Sequence, residues 1–148
     1  MEKAKEVFEK VIKEQIDMKL WNNDSFYVEF AGVGSFDNKV LFGAPVSGRE
    51  ILEYLNKSLY AGFDESGFVC ESGFTPHITL VKTKFKDGKQ TGGIPSGCLE
   101  QIKTKYFGIQ TVRSIQFLSM KKPKTEEGYF FCEKEINLLD SLEKEETV

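Results

Sequence analysis

The sequence is poor in the side chains that most readily announce chemistry. Among 148 residues there is one histidine, His77, and there are three cysteines, Cys70, Cys98 and Cys132. No two of these cysteines stand close enough for a C-x-x-C pair, and a single imidazole cannot complete a zinc cage. Neither a metal site nor a cofactor is therefore expected. An odd, scattered set of thiols suits a reducing compartment, the cytoplasm or the nucleus. No uninterrupted apolar run reaches the length of a bilayer span, and the N-terminus is charged rather than signal-like, so no membrane association is expected. Charge of one sign is also lacking. A net charge of −3 argues against broad electrostatic capture of nucleic acid, while leaving room for a local basic strip.

What is present is core material. The chain is 40% hydrophobic and carries 13 Phe, enough for one packed domain over 1–148 with an acidic tail, 139–148, that frays. Residues 2–16 place Ala4, Val7, Phe8, Val11, Ile12 and Ile16 at helical spacing. "SFYVEFAGVGSF" alternates Phe26, Val28 and Phe30 against Tyr27 and Glu29, the pattern of a strand ending in a glycine turn. "KVLFGAPV" reads as a second strand. A helix follows, with Ser47 and Glu50 as a capping box, Ile51, Leu52, Leu55 and Leu59 facing inward, and Gly62 as its stop. "KFKDGKQTGGIPSG" reads as a polar loop. "CLEQIKTKYFG" reads as a helix with Leu99, Ile102 and Tyr106 on one side and Gly108 as its stop. "TVRSIQFLSMKKP" and "GYFFCEKEINLL" read as a hairpin around "KPKTEEG". This order gives an α+β fold with helices packed on antiparallel strands.

The one imidazole lies in "GFTPHITLVK". Side chains two apart on a strand point the same way, so His77 and Thr79 share a face with Thr75 and Val81, and Ile78 and Leu80 take the other. An acid–base group beside a hydroxyl can hold a phosphate oxygen and move a proton. The same pair can equally sit in a wall and do nothing. Phe74 and Phe68 have the aromatic faces on which a base stacks, though most of the Phe residues must be core. Lys82, Lys84 and Lys86, two apart, either attract phosphate or protect a solvated edge strand. "GVGSFDN" is a tight turn or an anion-binding glycine loop. The terminal "ETV" matches the pattern of a peptide captured by strand addition in a PDZ-type partner.

"FAGVGSFDNKVLF", "SGFTPHITLVK", "CLEQIKTKYFG" and "VRSIQFLSMKKPKTEEGYFFCEKEINL", in that order from about Phe26 to Leu138, resemble the two-histidine, LigT-like phosphoesterase superfamily. Within it, the central domain of the A-kinase anchoring proteins is the nearest likeness. The resemblance implies two pseudo-symmetric lobes, each giving one H-x-[ST] strand to a shared groove. It implies recognition of a nucleotide, a short RNA or an oligoadenylate, and metal-independent phosphodiester chemistry, including on 2′,5′ linkages. One imidazole would take a proton from the attacking hydroxyl and the other would protonate the leaving oxygen. On this pattern His77 and Thr79 are the catalytic pair, and Phe74, Lys82, Ser35 and Phe36 line the nucleotide. The first H-x-[ST] has no counterpart here. The expected fold therefore lacks part of its first lobe, catalysis is impaired, and an exposed edge favours a homodimer. The alternative is a non-catalytic protein-interaction scaffold.

Overall fold

A computed structural model describes residues 1–18, 26–83, 85–86, 89–90 and 92–138. The order of elements is α1 (Glu2–Asp17), β1 (Phe26–Phe36), β2 (Val40–Ser47), α2 (Arg49–Glu65), β3 (Ile78–Lys82), β4 (Phe85–Lys86), β5 (Lys89–Gln90), α3 (Ser96–Ile102), β6 (Tyr106–Val112), β7 (Ser114–Ser119) and β8 (Phe131–Asn137). The α+β class expected from the pattern is the one observed. Lys84, the tail 139–148 and its terminal "ETV" lie outside the described residues.

The chain divides into two compact units. One takes in α1, α2 from Ile51 onward through Phe74, and the β7–β8 hairpin; the other takes in Tyr27–Glu50 and Thr75–Gln110. In the first unit, the apolar stripe of α1 does what its spacing requires. Ala4, Phe8, Val11 and Ile12 are buried, and Phe8 stacks on Phe117 of β7 with ring centroids 5.4 Å apart. Phe117 also meets Phe63 of α2, whose ring takes Phe68 edge-on at 5.6 Å. Phe68 is thus part of this aromatic packing. β7 and β8 pair antiparallel from Ser114↔Asn137 to Ser119↔Phe131, and Ile136 and Leu138 close the core beneath them.

Gly62 was expected to end α2, but the helix runs on to Glu65. A Cβ at Gly62 would sit 2.5 Å from Cγ2 of Val11, a β-branched side chain with little rotamer freedom. The glycine therefore lets α1 and α2 approach closely, and its helix-weakening character is offset by that packing. The capping-box reading also shifts. Ser47 is the last residue of β2, and the helix opens at Arg49 after Gly48.

Ion pairs tie α1 to the hairpin. Glu133 of β8, its side chain 2% exposed, holds Lys122 at 2.6 Å and Lys5 of α1 at 3.8 Å. Glu9 accepts from Lys13 at 2.7 Å and from Lys134 of β8 at 2.8 Å. The Lys13 and Lys134 ammonium groups hold the Glu9 carboxyl at about 2, against an ordinary 4.5. A carboxyl depressed in the folded state adds stability that is fully present above its unfolded value and is lost as the pH falls through the folded one. Glu9→Gln should therefore be less stable than the native chain near neutrality, and the gap should close as the pH drops from about 4.5 to about 2. Urea midpoints across that range check this; a gap that stays constant contradicts it.

In the second unit, four strands form a sheet in the order β3-β2-β1-β6. β1 and β2 are joined by a tight turn in which Asp37 and Asn38 have φ of 50° and 54°, the left-handed region these two residues tolerate best. Lys39 N–H donates to Phe36 O at 2.8 Å to close it. The turn thus falls after "GVGSF", which stays in the strand. "CLEQIKTKYFG" is not one helix. α3 stops at Ile102, Lys105 N–H donates to Ile102 O at 2.9 Å, and Tyr106 and Gly108 belong to β6. Sheet pairing wins over helical spacing here, with Gly32 N–H donating to Lys105 O at 2.8 Å. Inside the loop read from "KFKDGKQTGG", the short strands β4 and β5 pair Phe85↔Gln90 and Lys86↔Lys89.

Candidate functional site

β3 pairs on β2 and is the edge of its sheet. Its five residues are all exposed. The register runs Val40↔Lys82, Leu41↔Val81, Phe42↔Thr79 and Gly43↔Ile78, with an irregularity between Leu41 and Phe42. Leu80 is therefore an extra residue, a β-bulge. Residues directly opposite in an antiparallel pair share a face. Thr79 thus shares the face of Phe42, and Lys82 shares the face of Val40, two residues away on β2. Across β1, Phe36 pairs with Val40 and Gly34 with Phe42, so they join the same face.

The bulge corrects the simple alternation. Strict period two would put Val81 beside Thr79 and Lys82 on the far side. With Leu80 bulged, Val81 follows Leu41 to the opposite face and Lys82 comes round to the face of Thr79. Ser35 pairs with Leu41 and lies on that opposite face as well, its Oγ buried without a hydrogen-bond partner among the described residues. The sheet therefore separates Ser35 from Thr79 and Phe36.

His77 immediately precedes β3. Its ring meets Phe36 edge-on at 5.1 Å, with an interplanar angle of 82°, and Phe42 at 5.5 Å. Phe36 and Phe42 stack on each other at 4.4 Å. His77, Phe36 and Phe42 form one aromatic cluster on the face that also carries Thr79 and Lys82. The imidazole is exposed, and its Nδ1 lies 2.7 Å from the carbonyl oxygen of Thr75. A carbonyl only accepts, so Nδ1 carries the proton and donates. In the neutral ring the lone pair then resides on Nε2. That atom is fit to take a proton from a hydroxyl or, once charged, to donate to a phosphate oxygen. Phe36, 37% exposed, keeps ring surface open to solvent while Phe42 is 9% exposed beneath it.

Phe42 was not singled out by the sequence. Its signal was available, because a turn of the Asp-Asn kind between alternating apolar residues marks a hairpin. Counting outward from it brings Phe36 and Phe42 to one face. Phe74, 45% exposed, belongs to the first unit. Lys82 is the one of the three spaced lysines whose side chain falls within the described residues. Among the described residues no group of three His, Cys, Asp or Glu side chains is placed to hold a metal ion, and the three cysteines are free. No helix among them is long and apolar enough to cross a membrane.

Residues 1–138 match the family model described as the AKAP7 2'5' RNA ligase-like domain. The chain belongs to this family. A curated relative is the A-kinase anchor protein 7 isoform gamma of Homo sapiens, 31% identical over 118 residues. That match covers 72% of this chain and 33% of the relative, so the chain spans about a third of the relative's length. The matched residues include the cluster around His77. The AKAP7 2'5' RNA ligase-like domain is thus phosphoesterase-like in kind and α+β in architecture.

Proposed function

We propose that this domain binds a nucleotide or the end of a short RNA phosphodiester on the His77 face of its four-stranded sheet. The observation that carries the reading is the single face on which His77, Thr79, Lys82 and Phe36 stand together. Each has a part that its chemistry suits. The ammonium of Lys82 and the hydroxyl of Thr79 donate to phosphate oxygens. His77 donates through Nε2 when protonated. Phe36 gives a base an aromatic surface, and stacking of this kind is worth roughly 1–3 kcal/mol per base. Ser35, on the other face, takes no part.

The phosphoesterase-like family supports chemistry as well as binding, and its name points to 2',5'-linked RNA. Phosphodiester cleavage needs a proton removed at one oxygen and another delivered at the leaving oxygen. This chain has one imidazole for the two transfers. Recognition without turnover is the function we assign, in a reducing compartment that suits three free thiols.

A titration with AMP, CMP and a short 2′,5′-linked oligoadenylate, followed for both binding and cleavage, tests the assignment. Saturable binding with no products is expected. Efficient cleavage by this chain would show that another group supplies the second proton. Absence of binding to all three would sink the nucleotide reading in favour of an interaction scaffold.

A further inference from the structure

We infer that Gly34 is a positioning residue for His77, acting through the ring of Phe42. Gly34 stands directly opposite Phe42 across the β1–β2 ladder. A Cβ built on Gly34 would run into the tip of the Phe42 ring, 2.7 Å from Cε2 and 3.1 Å from Cε1, with Cζ closer still. The tip of the ring therefore occupies the space that a side chain at position 34 would need. That placement brings it to 4.4 Å from Phe36 and 5.5 Å from the His77 imidazole. Any side chain at position 34 must lift the ring. The ring is 9% exposed and contacts both Phe36 and His77, so its displacement is passed to these two aromatic neighbours.

Gly43 provides the comparison within the same sheet. It follows Phe42 on β2, so its missing side chain faces the other way. A Cβ there would meet Cγ1 and Cδ1 of Ile78 at 3.0 and 3.2 Å. Ile78 is 37% exposed and, paired with Gly43, stands on the face opposite Phe42. The two glycines thus differ in what an added methyl pushes. At position 34 it pushes the ring that touches His77, and at position 43 a side chain on the opposite face.

The test is a double-mutant cycle on the full chain: Gly34→Ala, Phe42→Leu and the double variant, with Gly43→Ala alongside. Because the chain has one histidine, its imidazole C–H signals in a 1H–13C NMR spectrum are unambiguous, and they report ring currents from Phe36 and Phe42. Gly34→Ala is expected to shift those signals, and Gly43→Ala to leave them close to the native positions. In the Phe42→Leu background the Gly34→Ala change should have no further effect, since the ring it acts through is gone. A Gly34→Ala shift that persists in that background, or equal shifts from both glycine variants, would overturn the proposal. Should Gly34→Ala alone fail to fold, the double variant decides. Recovery of folding when the ring is removed supports the proposal, and continued failure contradicts it.

The affinity arm rests on the nucleotide reading. AMP should bind roughly three- to tenfold more weakly to Gly34→Ala, the effect of a side chain held off its preferred rotamer. If AMP does not bind the native chain, the nucleotide reading fails, while the ring-proton shifts still decide the role of Gly34.

Discussion

His77→Ala should lose nucleotide binding by roughly 10- to 100-fold, the value of one hydrogen bond to a charged group. Truncation removes the Nε2 donor and also the ring that packs edge-on against Phe36 at 5.1 Å. The loss should fall mainly on ligands that carry a phosphate. Because the imidazole is exposed and its hydrogen bond among the described residues is the local one to Thr75 O, the variant should keep its unfolding midpoint close to that of the native chain. Isothermal titration with AMP alongside urea unfolding separates the two effects. An affinity unchanged in the variant would remove His77 from the site.

The second large effect is on stability, at Gly48→Ala. Gly48 links β2 to α2 with φ of +74°. A residue with a Cβ pays about 1–2 kcal/mol to enter that region. In addition, the added methyl would run into the backbone carbonyl of Tyr27 and approach Cα of Val28 to 3.3 Å. Backbone cannot turn aside as a side chain does, so β1 would have to move away from the junction. Overpacking of this kind adds typically 1–3 kcal/mol, giving a loss of about 2–5 kcal/mol in total. Against a stability of about 5–15 kcal/mol for a domain, that is enough to lower the urea midpoint far more than any surface change. A midpoint within error of the native chain would show that the junction yields easily.

The contrast between these two residues shows what a sequence of this kind discloses. The apolar stripe of α1 was legible because Ala4, Phe8, Val11 and Ile12 recur at the helical period and nothing competes with burying them. The β7–β8 hairpin was legible for a similar reason, since its strands alternate and its loop is charged. His77 and Thr79 stood out through the scarcity of histidine. Phe36 and Lys82 entered through the family resemblance, and Phe42 did not stand out; that Lys82 shares their face could not be read, because a bulge is invisible to periodicity. Leu80 looks like any strand leucine until the register shows Thr79 opposite Phe42 and Val81 opposite Leu41. That one residue decides that Lys82 joins the face of Thr79.

The glycines mislead in the same way. Gly62 and Gly108 each follow a helical pattern and so look like stops. In the folded chain Gly62 lies inside α2 against Val11, and Gly108 lies in β6. A glycine signals that something comes close or that the backbone turns. Which of the two applies depends on partners distant in sequence. Glu133 gave no signal at all, since a buried carboxylate is recognisable only once Lys5 and Lys122 are seen on either side of it.

The most direct measurement of the central claim follows the His77 imidazole signals by NMR while AMP is added, and then while adenosine is added. A saturable shift is expected with AMP and a much smaller one with adenosine, because the proposed function assigns the phosphate to His77, Thr79 and Lys82. Equal shifts with both ligands, or none with AMP, would contradict it.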